Sequence, residues 1–282
     1  MTVAVGIAIV LIAVIGGYLM EHGNLALLIN PAEFFIIGGS AFGAFVIATP
    51  KKVMFHTFDK LKHIFSEGTA HKEAYLELLS LLFLIFSKVR KEGLISIEQD
   101  VEDPSKSAVF TKYKSLFANK TALGFICDNL KVIITTSMPT HELDELLNID
   151  IEANSHEEML PAMSIQKVAD ALPGFGIVAA VLGVVLTMGK IDSPPAVLGH
   201  SIGAALVGTF LGVLMCYGFV GPIASNLELK AKEEEVYFHV IRVALVAFVG
   251  GAAPQMAVES GRRAIPNSER PTFSELEESI RK

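Results

Sequence analysis

The sequence predicts an all-α polytopic membrane protein, and three observations predict it. Of its 282 residues, 51% are apolar and only 19% charged, with a mean hydropathy of +0.50, which is too apolar for an ordinary soluble domain. Four uncharged stretches are each close to the length of a membrane crossing. Outside them apolar residues recur at helical spacing, and almost nothing alternates as a strand does. The predicted architecture has four transmembrane helices, with spans three and four extended into a helical cytoplasmic domain.

Span one covers 1–20. Residues 3–20 are 18 positions without a charge, about 27 Å of helix at about 1.5 Å per residue, against a hydrocarbon core of about 30 Å. A cleaved secretory signal fits poorly, because only Met1 and Thr2 precede the run and no small-residue cleavage site follows it. A short outer connection, 21–32, leads to span two at 33–50, closed by Pro50 before Lys51 and Lys52. Residues 51–170 are a cytoplasmic helical domain. Span three is 171–189, 19 residues without a charge, and a second short outer connection covers 190–199. Span four is placed at 200–222, with Pro194 and Pro195 blocking an earlier start. A cytoplasmic helical tail, 223–282, completes the chain. The apolar stretches 78–87 and 243–258 are not counted as spans. The first has ten residues, and the second carries Gly250, Gly251 and Pro254 at its centre, so both read as helices packed in protein.

Basic residues set the orientation. The two long hydrophilic parts hold 22 of the 23 Lys and Arg, and the short connections hold only Lys190, so the long parts are cytoplasmic by the positive-inside rule. The C-terminus is thereby assigned to the cytoplasm and the N-terminus to the outside of the inner membrane.

Several function classes are disfavoured. The net charge of −7 offers no basic surface to a phosphate backbone, so no nucleic-acid partner is expected. Cys127 and Cys216 lie far apart without a CxxC, which suits inert packing better than a disulfide framework or a zinc site. No HExxH, GxSxG or phosphate-cradling loop occurs, and no enzyme, cofactor or metal site is expected. A self-sufficient ion channel needs an ionisable group at membrane depth. Glu21, Glu33, Asp170 and Asp192 read as lying at the edges of the spans, and His200 at the outer start of span four. A partner is therefore expected to supply the titrating group.

Small residues recur in the spans. Gly39 and Gly43 are four apart, as are Gly199 and Gly203, and Ala204, Gly208, Gly212 and Cys216 continue the spacing. Such stripes serve packing within one bundle or against other subunits. Thr187, Ser201 and Thr209 can bond back to a helix carbonyl or line a wet path. Pro173 starts span three and Pro222 ends span four, as punctuation or as a hinge. In the cytoplasmic part, 70–92 is an amphipathic helix stopped by Gly93, followed by an acidic turn at 93–104 and helices near 107–137, 139–152 and 155–170. A further helix continues span four through 226–245. Arg90 and Glu98 lie across the Gly93 turn, where both can face solvent.

Six segments carry a family resemblance: GGYL at 16–19, PAEFFIIGGSAFGAF at 31–45, VRKEGLISIEQDVEDP at 89–104, LPGFGIVAAVLGVV at 172–185, VGTFLGVLMCYGFVGPIA at 207–224 and AVESGRRAIPNSERPTFSELEE at 257–278. Over nearly its whole length the chain resembles the MotA family, the membrane subunits of the flagellar stator within the MotA/TolQ/ExbB superfamily. The resemblance implies a ring of five copies around the paired helices of a MotB-like subunit, whose aspartate carries the ion. It implies torque on the rotor's switch protein, with Arg90 and Glu98 at the rotor interface, Pro173 and Pro222 as boundary hinge prolines, and Thr209 near the ion-carrying aspartate. In sodium-driven relatives the position of Ala180 resembles a threonine, an oxygen ligand for a hard cation. Alanine offers none, so proton drive is expected, with H+ the transported ion. Where the family more often has Pro-Ala-Phe-Gly, this chain has Gly174 after Pro173, which loosens the start of span three. The alternatives are a sodium-driven stator and an ExbB/TolQ-like energiser of an outer-membrane system, although such relatives usually have three spans and lack the segment from Arg90 to Glu98.

Overall fold

The computed structural model describes residues 2–65, 71–136 and 138–281. In chain order the helices are α1 (Thr2–Met20), α2 (Leu25–Leu28), α3 (Pro31–Ala48), α4 (Lys51–Lys62), α5 (Lys72–Glu92), α6 (Glu98–Glu102), α7 (Lys114–Ala118) and α8 (Lys120–Thr135). They continue with α9 (Thr140–Met188), α10 (Pro195–Leu214), α11 (Gly221–Val249), α12 (Pro254–Ala264) and α13 (Phe273–Arg281). A 3₁₀ turn, Leu94–Ile97, precedes α6, and a π-helical segment, Met215–Val220, joins α10 to α11. No strand occurs among the described residues. Four helical stretches, Thr2–Met20, Leu25–Ala48, Thr140–Met188 and Pro195–Val249, are long and apolar enough to cross a membrane.

The chain divides into two units, Met1–Glu67 with Glu158–Lys230, and Gly68–Glu157 with Ala231–Lys282. The first is the membrane unit. Asn30 caps α3 by accepting from the Ala32 amide at 3.2 Å, and Pro31 takes the first helical position, where a missing N–H costs nothing. Its interior is small: Ile37 and Ala41 of α3 join Ala169, Leu172 and Ala179 of α9 and Val207 and Leu211 of α10. Nearer α4, Ile64, Ala162, Ile165, Ala224 and Leu227 form a second cluster. No residue of α1 is buried, and although Val10 packs near Gly218, most of its apolar surface is free for lipid or for other chains.

The second unit has a core of the soluble kind. Leu78, Leu79, Leu81, Leu82, Ile85 and Phe86 of α5 are buried together with Phe238, Val240, Ile241, Ala244 and Leu245 of α11 and Ala257 and Val258 of α12. Phe86 stacks on Phe248 with ring centroids 4.3 Å apart, and Phe125 meets Phe238 edge-on at 5.0 Å. Arg242 ties α11 to α9, donating through Nε to Asp144 and through a terminal nitrogen to Asn148, both at 2.7 Å. That bond holds the Asp144 carboxyl below its ordinary range. Burial pushes the Cys127 thiol up to about 11, leaving it protonated and inert near neutrality.

The structure corrects several boundaries. Helix α10 begins at Pro195 rather than 200, because proline suits a first turn and so starts the helix instead of delaying it. The helices placed at 139–152 and 155–170 are not separate but one helix, α9, which runs on into span three as expected and passes through Pro161 and Pro173. Where one helix was placed at 107–137, α7 and α8 are divided at Asn119, whose side chain caps α8 by accepting from the Ala122 amide. Pro222 does not end a helix but lies in the first turn of α11, directly after the π segment. A chain that used all four stretches as crossings would end on the side where it began, which does not go with an N-terminus outside and a C-terminus in the cytoplasm.

Candidate functional site

The membrane unit is organised by the crossing of α9 and α10, where glycine lets backbone meet backbone. A Cβ on Gly176 would lie 2.8 Å from the Gly208 carbonyl, and one on Gly212 would lie 2.6 Å from the Leu172 carbonyl. Any side chain there would force the helices apart. Farther along, Gly183 packs on Ala205 in the same way. The predicted stripes thus separate into two kinds. Gly208 and Gly212 serve packing within the chain, while Gly39, Gly43, Gly199 and Gly203 have nothing within 4 Å of a Cβ and face open space.

Ala180 and Thr209 both belong to this crossing. A Cβ on Gly208 would lie 3.1 Å from the Ala180 amide nitrogen, and Thr209 is the next residue along α10. Both are half-buried. Thr187 spends its hydroxyl on the Gly183 carbonyl at 2.8 Å, whereas among the described residues Thr209 makes no hydrogen bond. Of the hydroxyls in these spans, Thr209 is therefore better placed than Thr187 to meet something outside the chain.

Glu33 also reaches the crossing, although the sequence reading placed it at the outer edge of span two. A Cβ on Gly208 would lie 2.5 Å from Glu33 Oε2. The side chain is only 5% exposed, and Oε2 has no hydrogen-bond partner among the described residues. Gly208 is the fourteenth of the twenty residues of α10, so this carboxyl lies against the body of α10 and not at its first turn. Counting apolar residues missed it because the start of an uncharged run was equated with the membrane surface. The signal that could have found it is a single acid in the first turn of a helix that is otherwise wholly apolar.

Pro173 lies inside α9 and Pro222 in the first turn of α11. Pro173 is half-buried next to Leu172, whose carbonyl touches Gly212, and Pro222 is exposed. A proline within a helix has no N–H to give to the carbonyl four residues back, and its ring clashes with that carbonyl. For Pro222 that carbonyl belongs to Gly218, inside the π segment, so the wider turn coincides with the place where an α ladder would be broken.

In the second unit, Arg90 and Glu98 are both exposed, on either side of a pinned turn. Gly93 ends α5 at φ +88°, a region open to glycine and strained for other residues. Lys88 Nζ donates to Asp100 Oδ2 at 2.8 Å, and Ser107 Oγ donates to Oδ1 at 2.7 Å. Ile97 and Val101 anchor the same turn in the core. The Lys88–Asp100 bridge was not singled out from sequence. It sits two residues from each predicted interface charge and fixes the segments that carry them. Among the described residues no group of three or more His, Cys, Asp or Glu could hold a metal.

Helices long enough to span, a glycine-tight pair at the centre and an acid buried against that pair define a polytopic membrane protein of the ion-conducting class. Two family models match: motility protein A N-terminal over residues 4–93, and the MotA/TolQ/ExbB proton channel family over residues 120–239. The chain is 41% identical over 281 residues to motility protein A of Salmonella typhimurium and 42% identical over 281 residues to that of Escherichia coli, covering all of this chain and 95% of each relative. Chemotaxis protein LafT of Vibrio parahaemolyticus is 36% identical over 272 residues, covering 96% of this chain and 95% of LafT. Among solved structures, C. jejuni MotAB matches with a TM-score of 0.80 at 18% identity, over 96% of this chain and 98% of that one. The flagellar MotAB stator complex of Bacillus subtilis matches with a TM-score of 0.76 at 23% identity, over 95% and 96% of the two chains. The chain belongs to the motility protein A family, within the MotA/TolQ/ExbB proton channel family. It is a multi-pass inner-membrane protein with the function of a flagellar stator subunit.

Proposed function

We propose that this chain drives the flagellar motor with protons, as a ring of five copies around the paired helices of a MotB-like subunit. That partner supplies the ion-carrying aspartate, and ion passage past Thr209 and Ala180 turns the ring. Pro173 and Pro222 flex at the membrane boundary, and Arg90 and Glu98 press on charges of the rotor's switch protein. Both long hydrophilic parts and both termini lie in the cytoplasm. Full-length relatedness to motility protein A at 41–42% identity carries the reading. The largely exposed α1 and the open Gly39, Gly43, Gly199 and Gly203 support it, since such faces suit contact with lipid and other subunits. Ala180, with no oxygen to offer a desolvated cation, favours protons over sodium.

The test is swimming speed in a strain lacking its own stator genes, complemented with this chain and its cognate B subunit, while sodium and the proton-motive force are varied separately. Speed is expected to follow the proton gradient and ignore sodium. Speed that follows sodium overturns the ion assignment. No rescue despite membrane assembly overturns the stator mechanism in favour of an ExbB/TolQ-like energiser.

A further inference from the structure

Glu33 has no task in the mechanism above, yet its placement costs the fold something. A carboxylate buried without a partner is among the more expensive things a protein can hold, and at membrane depth such groups mark ion pathways. Glu33 is 5% exposed, its Oε2 lacks a partner among the described residues, and that oxygen sits over Gly208. The contact is permitted only because position 208 has no side chain, since a Cβ there would come within 2.5 Å of the oxygen. Around the same point stand the Ala179 methyl, at 3.0 Å from that Cβ position, and the Ala180 amide, at 3.1 Å. None of these neighbours titrates. Thr209, whose hydroxyl is unspent, is the next residue along α10. An acid held only for packing would be better replaced by glutamine or leucine, which bring no charge into an apolar crossing.

We propose that Glu33 is a proton-carrying group of this chain's own, taking up the transported proton at the α9/α10 crossing and releasing it toward the carboxylate of the partner subunit. The carboxylate accepts H+ from water on the outer side to become the neutral acid. It then returns to the carboxylate as the proton passes on, so one proton enters and one leaves per cycle. The inference rests on the proton-driven stator reading and adds to it a second, chain-borne carrier in each copy, upstream of the carrier on the partner.

The test uses the full complex in motile cells, comparing wild type, Glu33→Gln and Glu33→Asp. Three quantities are read: motor speed at low load, where ion transit limits rotation, the number of stators recruited per motor, and the protonated-carboxyl infrared band of the reconstituted complex. Glu33→Gln is expected to be recruited normally, to lose the band and to slow low-load rotation by about tenfold or more, the scale at which a positioned proton-transfer group acts. Glu33→Asp, which keeps the acid on a shorter arm, restores part of the speed. Wild-type speed in Glu33→Gln overturns the proposal, and so does failure of both variants to be recruited, which would make the side chain a packing element. If the wild type itself fails to turn on a proton gradient, the stator reading has failed instead. The infrared arm then decides for Glu33 alone: a band that responds to pH and is absent from Glu33→Gln supports a titrating carrier, and its absence from the wild type removes it.

Discussion

Both units are helices rich in leucine, isoleucine, valine and phenylalanine, yet they point those side chains in opposite directions. In the membrane unit Phe35 is 81% exposed and Ile47 is 89% exposed, and α1 buries nothing. In the other unit Leu78, Leu81 and Phe86 are completely buried, and the surface is left to residues such as Arg90 and Glu98. Water rewards burial of an apolar side chain by about 25 cal/mol per Å², whereas lipid gives no such reward, because its tails are as apolar as leucine. The cytoplasmic unit therefore holds itself together, while the membrane unit is held by close backbone contact and by whatever covers its outer faces.

Truncation of a buried ring should show that contrast most strongly. Phe86→Ala removes the stack on Phe248 and is expected to cost about 3–5 kcal/mol, read as a large drop in the temperature at which the cytoplasmic unit becomes sensitive to protease. Ile47→Ala, on an exposed membrane face, should leave that temperature unchanged. Equal drops would break the distinction between the two units.

The exposed charges sharpen it from the other side. Arg90→Glu or Glu98→Lys is expected to lower stall torque several-fold while the unfolding temperature and co-purification with the B subunit stay as in the wild type. Loss of assembly instead would make those charges part of the fold.

The smallest effect belongs to α13. Lys72 holds Glu275 at 2.6 Å, and together with Thr272 it lowers that carboxyl from 4.5 to about 2. A carboxyl lowered in the folded state contributes stability above pH 4.5 and loses it as pH falls toward 2. Amide exchange over 273–281 should therefore speed up across that interval, and Glu275→Gln should flatten the dependence. The pair is exposed, so the change should stay local to α13.

Those same physical differences decided what could be read from the sequence. The all-helical class and four spans were legible because an uncharged run of 17 residues or more has few alternative explanations. Alternating faces made the α5 core legible, and glycine at 93 marked its end. Proline misled at both ends of span four, since Pro195 starts a helix and Pro222 is absorbed by a π turn whose wider hydrogen-bond ring leaves no periodic trace in the residues. Arg90, Glu98, Ala180 and Thr209 were named as site residues through resemblance alone, because an exposed charge or a lone alanine announces nothing. Glu33 was visible as a letter and misplaced as an object. Its depth depends on where α3 begins beside α10, a pairing that no single segment encodes.

The glycine contact between α9 and α10 also bears on how the molecule is made. Only six residues, 189–194, separate the end of α9 from the start of α10, and closing so short a link costs little chain entropy. During synthesis these helices can leave the insertion machinery as a hairpin already locked at Gly176, Gly208 and Gly212. The earlier α3 must wait in the bilayer until the cytoplasmic segment between has been translated. A chain halted before Pro195 would hold Glu33 in the membrane with no α10 backbone to lie against, so the last-made span completes the surroundings of an acid set down near the start of translation.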